Sequence, residues 1–175
     1  MYIFWRINVW DKVVENLRGH PERLQVAKVL VENGLSTKSG KIYCNRIVIP
    51  PIRVARVANV DRRTVTETLK IIDDNPDLRE LFEGIRSAGH SLKEVARYLN
   101  LGVVEITPKD AKTPGILAKS ASLLAERNIS IRQAIVDDPE LSPEPRLTLI
   151  AETQIPGELV TALLKIKGVD KVSIS

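Results

Sequence analysis

The 175-residue sequence holds a single cysteine, Cys44, and two histidines, His20 and His90. One cysteine excludes an internal disulfide and fits a reducing, cytoplasmic setting. The three residues are scattered, so no zinc-ligand spacing can be assembled. Apolar runs are all too short to span a bilayer. Residues 1–14 are apolar, but Arg6, Asn8 and Asp11 interrupt them and no small-residue cleavage site follows, so a secretory signal is not expected. Gly34 to Lys41 has the look of a phosphate loop. It carries five residues between its glycines where four are required, Ile42 follows the lysine instead of Ser or Thr, and a helix precedes it instead of a strand. A nucleophile elbow is missing, as is any His-based catalytic set. Neither enzymatic activity nor a cofactor is expected. Asp137, Asp138, Glu140 and Glu144 flank prolines in a turn, which fits a solvated loop better than a metal site.

What is present suits a folded chain: 43% hydrophobic and 27% charged residues, enough for one domain or two small ones. The net charge of +4 is unevenly spread. Residues 1–90 carry fifteen Lys/Arg against eleven Asp/Glu, whereas residues 91–175 carry eleven of each. Five arginines and one aspartate fall between Arg46 and Arg63. A basic cluster on an otherwise neutral chain points to an acidic partner, nucleic acid first, or to a solvated basic face.

Ile3, Ile7, Trp10, Val14 and Leu17 recur at helical spacing and stop at Gly19-His20-Pro21. A second helix is predicted over 22–33, with Leu24, Ala27, Val31 and Leu35 inward. Ile42-Tyr43-Cys44 and Ile47-Val48-Ile49 suggest a small hairpin around Asn45-Arg46. After Pro50-Pro51, a short helix over 52–58, a turn at Asn59-Val60-Asp61 and a longer helix over 62–73 come in turn, with Asp61 as N-cap. A further helix is predicted over 77–85. Ser91-Leu92-Lys93-Glu94 reads as a capping box starting a helix to Asn100, with Leu92, Val95, Ala96 and Leu99 inward. The first domain is taken as 1–100 and the second as 101–175, with Gly84 to Gly89 as another candidate hinge.

The short helix, tight turn and longer helix resemble a helix-turn-helix. In such a unit the first helix braces on the backbone while the second lays its N-terminal side chains in the major groove. Ala55 permits close helix approach, and Val60 plugs the turn. Arg53, Arg56, Arg62, Arg63, Thr64 and Thr66 are the candidate DNA-binding residues. A helical hairpin that only packs is the competing account.

From Val103 the predicted order is strand, helix, strand, strand, helix, strand. This is the split βαβ arrangement, an antiparallel sheet with both helices on one face. Each helix opens with Pro-Gly, at Pro114-Gly115 and Pro156-Gly157. The first loop, Thr107 to Thr113, looks about twice as long as the second, Thr153 to Ile155. A helix start offers unpaired N–H groups and a partial positive charge, which suit a carboxylate. On the second strand Ile129, Ile131, Gln133 and Ile135 are expected on one face. Gln133 then needs a ligand or a backbone partner. Arg132, facing the other way, either meets a ligand carboxylate or pairs with Glu105 or Glu152.

The loop ending in Pro114-Gly115-Ile116-Leu117, the helix closing on Glu126-Arg127-Asn128-Ile129-Ser130-Ile131 and the βαββαβ order resemble an ACT domain. The chain as a whole is similar to archaeal proteins with a helix-turn-helix and an ACT domain, proposed to regulate amino-acid metabolism. The segments that carry this are Lys41 to Cys44, Val60 to Val65 and Ile131 to Pro139. The resemblance implies an α+β fold, with an N-terminal helix-turn-helix-like domain and a C-terminal ferredoxin-like βαββαβ domain. It further implies a small effector, typically an amino acid, a homodimer with ligands near the first loop and second strand, and DNA as partner. Gly115 matches the small residue that permits backbone approach, so its amide and that of Ile116 could hold a carboxylate. Lys109, Asp110, Thr113, Leu117, Arg132 and Gln133 complete the candidate set. Asp110 departs from the family pattern, since Ala111, Lys112 and Thr113 separate it from Pro114. The alternative is a regulatory subunit that binds a metabolic enzyme through its helical half.

Overall fold

The computed structural model describes residues 9–175, so the expected helical positions Ile3 and Ile7 lie outside the described residues. The chain forms two compact units, residues 1–89 and 90–175. The division falls in the second candidate hinge, ahead of the boundary placed at 100/101. The reason is local: residues that were to close the first unit pack Ala96 and Leu101 onto Val103 and Ile150 of the second.

The first unit is built from α1 (Val9–Asn16), α2 (Pro21–Glu32), a three-stranded sheet, α3 (Pro51–Ala58), α4 (Arg62–Asp74) and α5 (Pro76–Gly84). In α1 the buried position is Val13, followed by Leu17 just past its end, whereas Val14 is exposed, which corrects the expected stripe. Pro21 begins α2, where its missing N–H costs no helical bond. In α2 the deeply buried side chains are Val26, Ala27, Val29 and Leu30. Leu24 and Val31 only flank this core.

The sheet holds β1 (Ser36–Lys38), β2 (Lys41–Cys44) and β3 (Ile47–Ile49), antiparallel in the order β1-β2-β3. β2 and β3 turn at Asn45-Arg46, with Asn45 in the left-handed region at φ 54. β1 was not foreseen. Its turn, Ser39-Gly40, has φ 50 and 71, the positive pair that a two-residue hairpin requires. Val54, Ala55, Val65, Leu69, Ile72, Leu78 and Phe82 meet the α2 residues and Ile42 in one core.

The second unit enters through residues 90–101. Here the capping box is only partly realised. Ser91 Oγ accepts from Lys93 N at 3.3 Å, but a single 3-10 turn, Lys93–Val95, replaces the expected helix. Val95 and Leu99 are exposed, and of the four expected inward residues only Ala96 is buried. A helix this short is marginal alone, and packing onto a sheet overrides its local preference.

The rest of the unit runs β4 (Gly102–Pro108), α6 (Ile116–Ala125), β5 (Ile131–Val136), β6 (Leu147–Ala151), α7 (Glu158–Leu164) and β7 (Val169–Ile174). The sheet order is β5-β6-β4-β7, and each neighbouring pair is antiparallel. One sheet face carries Val104, Ile106, Leu147, Leu149 and Ala151, which pack on Leu124 of α6 and Leu159 and Leu163 of α7. At about 25 cal/mol per Å² of buried apolar surface, this layer is the main stabilising term of the unit.

Two details bear on the cavity between loop and hairpin. The loops of the two halves are of similar length, not one twice the other. β4 extends through Thr107 and Pro108 because both pair with β7, leaving 109–115 against 152–157. What separates the halves is glycine conformation. Gly115 has φ +88, whereas Gly157 has an ordinary helical φ of -56. The second detail is a β-bulge in β5. Ile131 stands opposite Ala151, but Gln133 stands opposite Ile150, so Arg132 is the extra residue. Ile131 therefore packs toward the helices and Gln133 turns to the other face, correcting the shared face expected for the two.

Candidate functional site

In the second unit, the β4–α6 loop and the turn end of the β5–β6 hairpin border a cavity of about 200 Å³. Pro108, Ala111, Thr113, Gly115, Ile116 and Leu117 form one wall. Val136, Asp137, Pro139, Pro145, Arg146 and Leu147 form the other. The lining is largely apolar, with Asp137 and Arg146 its only charged members.

The first wall is held from below. Lys109 N donates to Gly168 O at 2.8 Å, so the loop hangs from the start of β7. Asp110 shapes the turn: its Oδ1 accepts from Lys112 N at 2.9 Å and its carbonyl from Thr113 N at 3.0 Å. Thr113 then lies over Gly168, whose φ is +94. A Cβ at Gly168 would come within 2.7 Å of Thr113 Cγ2. Gly115, in the left-handed region, turns the chain into α6 with no side-chain cap, and its carbonyl takes the first helical bond from Lys119 N at 3.0 Å. The early N–H groups of α6 thus border the cavity without an N-cap side chain.

The second wall is set by Asp137 and Arg146. Asp137 N donates to Arg146 O at 3.0 Å, and Arg146 N donates back to Asp137 Oδ2 at 3.1 Å. The Arg146 guanidinium bonds the Glu144 carboxylate and stands 3.6 Å from Glu105. Its hydrogen bond and charge hold the Glu144 carboxyl below its ordinary value, and the same partner raises Arg146.

Of the eight candidate ligand residues, Thr113, Gly115, Ile116 and Leu117 line the cavity. Lys109 and Asp110 belong to the loop but not the lining. Arg132 pairs with Glu152 at 3.6 Å. Gln133 is engaged at both ends: Oε1 accepts from Leu92 N at 3.0 Å and Nε2 donates to His90 O at 2.6 Å. The sequence reading missed Val136, Asp137, Pro139, Pro145, Arg146 and Leu147. No local pattern marks them, because they take their place from the pairing of β5 with β6 across the proline-flanked turn.

In the first unit, α3 ends at Asn59, left-handed at φ 52. Val60 N then donates to Ala55 O at 3.0 Å. Asp61 caps α4, accepting from Arg63 N at 2.6 Å. Arg53, Arg56 and Arg62 are exposed and form no side-chain hydrogen bond or ion pair among the described residues. Arg63 Nε donates to Glu67 Oε1 at 3.1 Å, and Glu67 Oε2 accepts from Arg23 at 3.2 Å. Thr64 Oγ1 reaches Glu22 at 3.5 Å, and Thr66 Oγ1 donates to Arg62 O at 3.2 Å. The arrangement offers exposed cations at the start of a helix, with two hydroxyls already engaged.

Among the described residues no cluster of three or more potential metal ligands occurs, and no helix is long and apolar enough to cross a membrane. No family model matches the chain, and no curated protein matches it. Among solved structures it is similar to the transcriptional regulator NMB0573 of Neisseria meningitidis in complex with L-Met, at 15% identity over 88% of this chain and 86% of that one, TM-score 0.29. It is also similar to a mutant of Rv3291c, at 16% identity over 88% and 90%, TM-score 0.28. A third is PH0061, at 13% identity over 87% and 88%, TM-score 0.26. Likenesses of this strength carry no weight for function.

Proposed function

We propose that the chain is an effector-responsive transcriptional regulator acting as a dimer in the cytoplasm. The first unit is a helix-turn-helix-like DNA-binding domain, and the second is an ACT-like sensor for a small effector, an amino acid. The observation that carries this reading is the helix pair α3–α4. Its turn is closed by Val60 on Ala55, and Arg53, Arg56 and Arg62 stand exposed and, among the described residues, unpaired, in the half that holds the whole positive surplus. Such cations suit phosphates and guanine edges. The Arg63–Glu67 pair is a surface ion pair worth about 0–1 kcal/mol, so Arg63 can exchange Glu67 for a phosphate at small cost. The cavity supports the effector half of the reading, since an apolar pocket beside the α6 start suits a carboxylate with an apolar tail. Ligand would alter the separation of two reading helices, and two-fold DNA sites demand matched spacing.

The test is mobility shift of the full chain on the DNA upstream of its own gene and of amino-acid biosynthesis genes, across a salt series. Retention at low salt that weakens as salt rises is expected, and amino acids should change it. No shift at low salt, with or without amino acids, refutes the reading.

A second reading has an observation of its own. Ile47 is 67% exposed and Val57 69%, with Val48 and Ile52 also exposed beside the arginines. Apolar groups of this kind suit a protein partner, so the helical half would dock a metabolic enzyme while the second unit binds effector. Then Arg62→Ala with Arg63→Ala leaves function intact, and a pull-down recovers an enzyme.

A further inference from the structure

Residues 90–101 cross the sheet face of the second unit that lies away from its helices. Apolar cover comes from Ala96 and Leu101 on Val103 and Ile150. The polar holds are three. Leu92 N donates to Gln133 Oε1, Gln133 Nε2 donates to His90 O, and Lys93 Nζ stands 2.7 Å from Glu105 Oε1.

Every one of these holds leads to the cavity. Gln133 lies on β5, and the same strand ends in the lining residue Val136, with Asp137 next. Glu105 is shared: Lys93 holds it on one side, and Arg146, which lines the cavity, stands 3.6 Å away on the other. The bulge at Arg132 lies directly before Gln133, where pairing of β5 with β6 already slips by one residue. A bulge leaves its extra residue unpaired, disrupts the ladder locally and re-aims the side chains beside it. Only Gln133 among the predicted ligand residues spends both ends of its side chain on this segment.

We propose that His90–Lys93 is a latch whose hold on the sheet is set by occupancy of the cavity. It rests on the reading of that cavity as an effector site and names how occupancy would leave it. A ligand that parts Val136 from the α6 start moves β5 and, through it, Gln133. An anionic group that draws Arg146 inward removes a competitor for Glu105 and tightens Lys93. Ligand shifts the latch only by its difference in affinity for the closed and open forms. His90 is the first residue of the second unit, so an open latch lengthens the tether between the units.

The test is amide exchange at Leu92, monitored by NMR on the full chain. In the wild type this amide is protected. Gln133→Ala speeds its exchange by about tenfold or more, because two hydrogen bonds are lost. Gln133→Glu keeps an acceptor for Leu92 but no donor for His90, and gives an intermediate rate. Full exposure of Leu92 in the wild type overturns the latch. The twenty common amino acids are then added singly at millimolar concentration, with thermal shift reporting binding. A probe that raises Tm and changes Leu92 exchange by about threefold or more supports the proposal. One that raises Tm and leaves Leu92 unchanged overturns the latch while sparing the effector site. If none raises Tm, the effector reading fails and the latch is decided by filling the cavity from its own walls with Ala111→Phe or, separately, Val136→Phe. Unchanged Leu92 exchange in whichever of these folds overturns it.

Discussion

Gly168→Ala is the sharpest test of how the cavity wall is held. The substitution acts through two separable terms. At φ +94 an alanine is strained in the left-handed region by roughly 1–2 kcal/mol. Its Cβ would also lie 2.7 Å from Thr113 Cγ2 and 3.3 Å from Thr113 Cβ, an overpacking that costs typically about 1–3 kcal/mol. Together the unit should lose about 2–5 kcal/mol, less whatever the loop recovers by shifting. Thr113→Ser removes the closer carbon and leaves the strain. The double variant should therefore regain about 1 kcal/mol or more relative to the sum of the singles, as residues that touch couple by about 0.5–3 kcal/mol. The second unit holds no tryptophan, so tryptophan fluorescence does not report on it directly. Hydrogen exchange in urea, read by mass spectrometry on peptides from β4 and β7, does report on it. A Gly168→Ala loss under about 1 kcal/mol, or strict additivity with Thr113→Ser, would refute the account of the loop as seated on Gly168.

Other outcomes are expected. Replacing Arg62 by Ala should weaken DNA binding and lower the slope of log K against log salt by about 0.9 for each phosphate no longer neutralised, measured by fluorescence anisotropy. Asp61→Ala should cost about 1 kcal/mol in denaturant midpoints of the first unit, because it removes the acceptor for Arg63 N. Leu149→Ala, fully buried against α6 and α7, should cost about 2–5 kcal/mol by the same exchange readout on the second unit. The depressed Glu144 carboxyl favours the folded state above its ordinary value of 4.5, and that help is lost as pH falls through the lower folded value. An acid titration of Glu144→Gln monitored by circular dichroism should show a shallower loss of stability than wild type.

Helical periodicity located every long helix among the described residues from its apolar stripe, although in α2 the buried face is Val26, Val29 and Leu30 and not the expected Leu24 and Val31. It erred where that stripe was thin. In residues 91–100 local capping chemistry was present, yet one buried alanine cannot hold a helix on a sheet. In α1 the periodicity leaned on Ile3 and Ile7, which lie outside the described residues, and so chose Val14 over Val13. The β4–α6 half of the cavity was legible because Pro-Gly before an apolar run marks a helix start. The opposite wall was not. Its residues acquire their place from strand pairing across a turn, and no local pattern announces which hairpin end meets which loop. Gln133 shows the same limit. Alternation assigned it to the helix face, and only the register with β6 reveals the extra residue ahead of it.

That extra residue gives β5 a parity. Before Arg132 odd-numbered positions look toward the helices, and after it even-numbered ones do, which is how Val136 reaches the cavity while Gln133 reaches His90. Deleting Arg132 would take out the bulge and leave a regular ladder, with Ile131 still opposite Ala151 and Gln133 opposite Ile150, so each later residue of β5 would keep its side of the sheet. Flattening the bulge with Arg132 kept in the ladder is the opposite case: every residue after it would turn to the other side, and the strand would lose cavity and latch together.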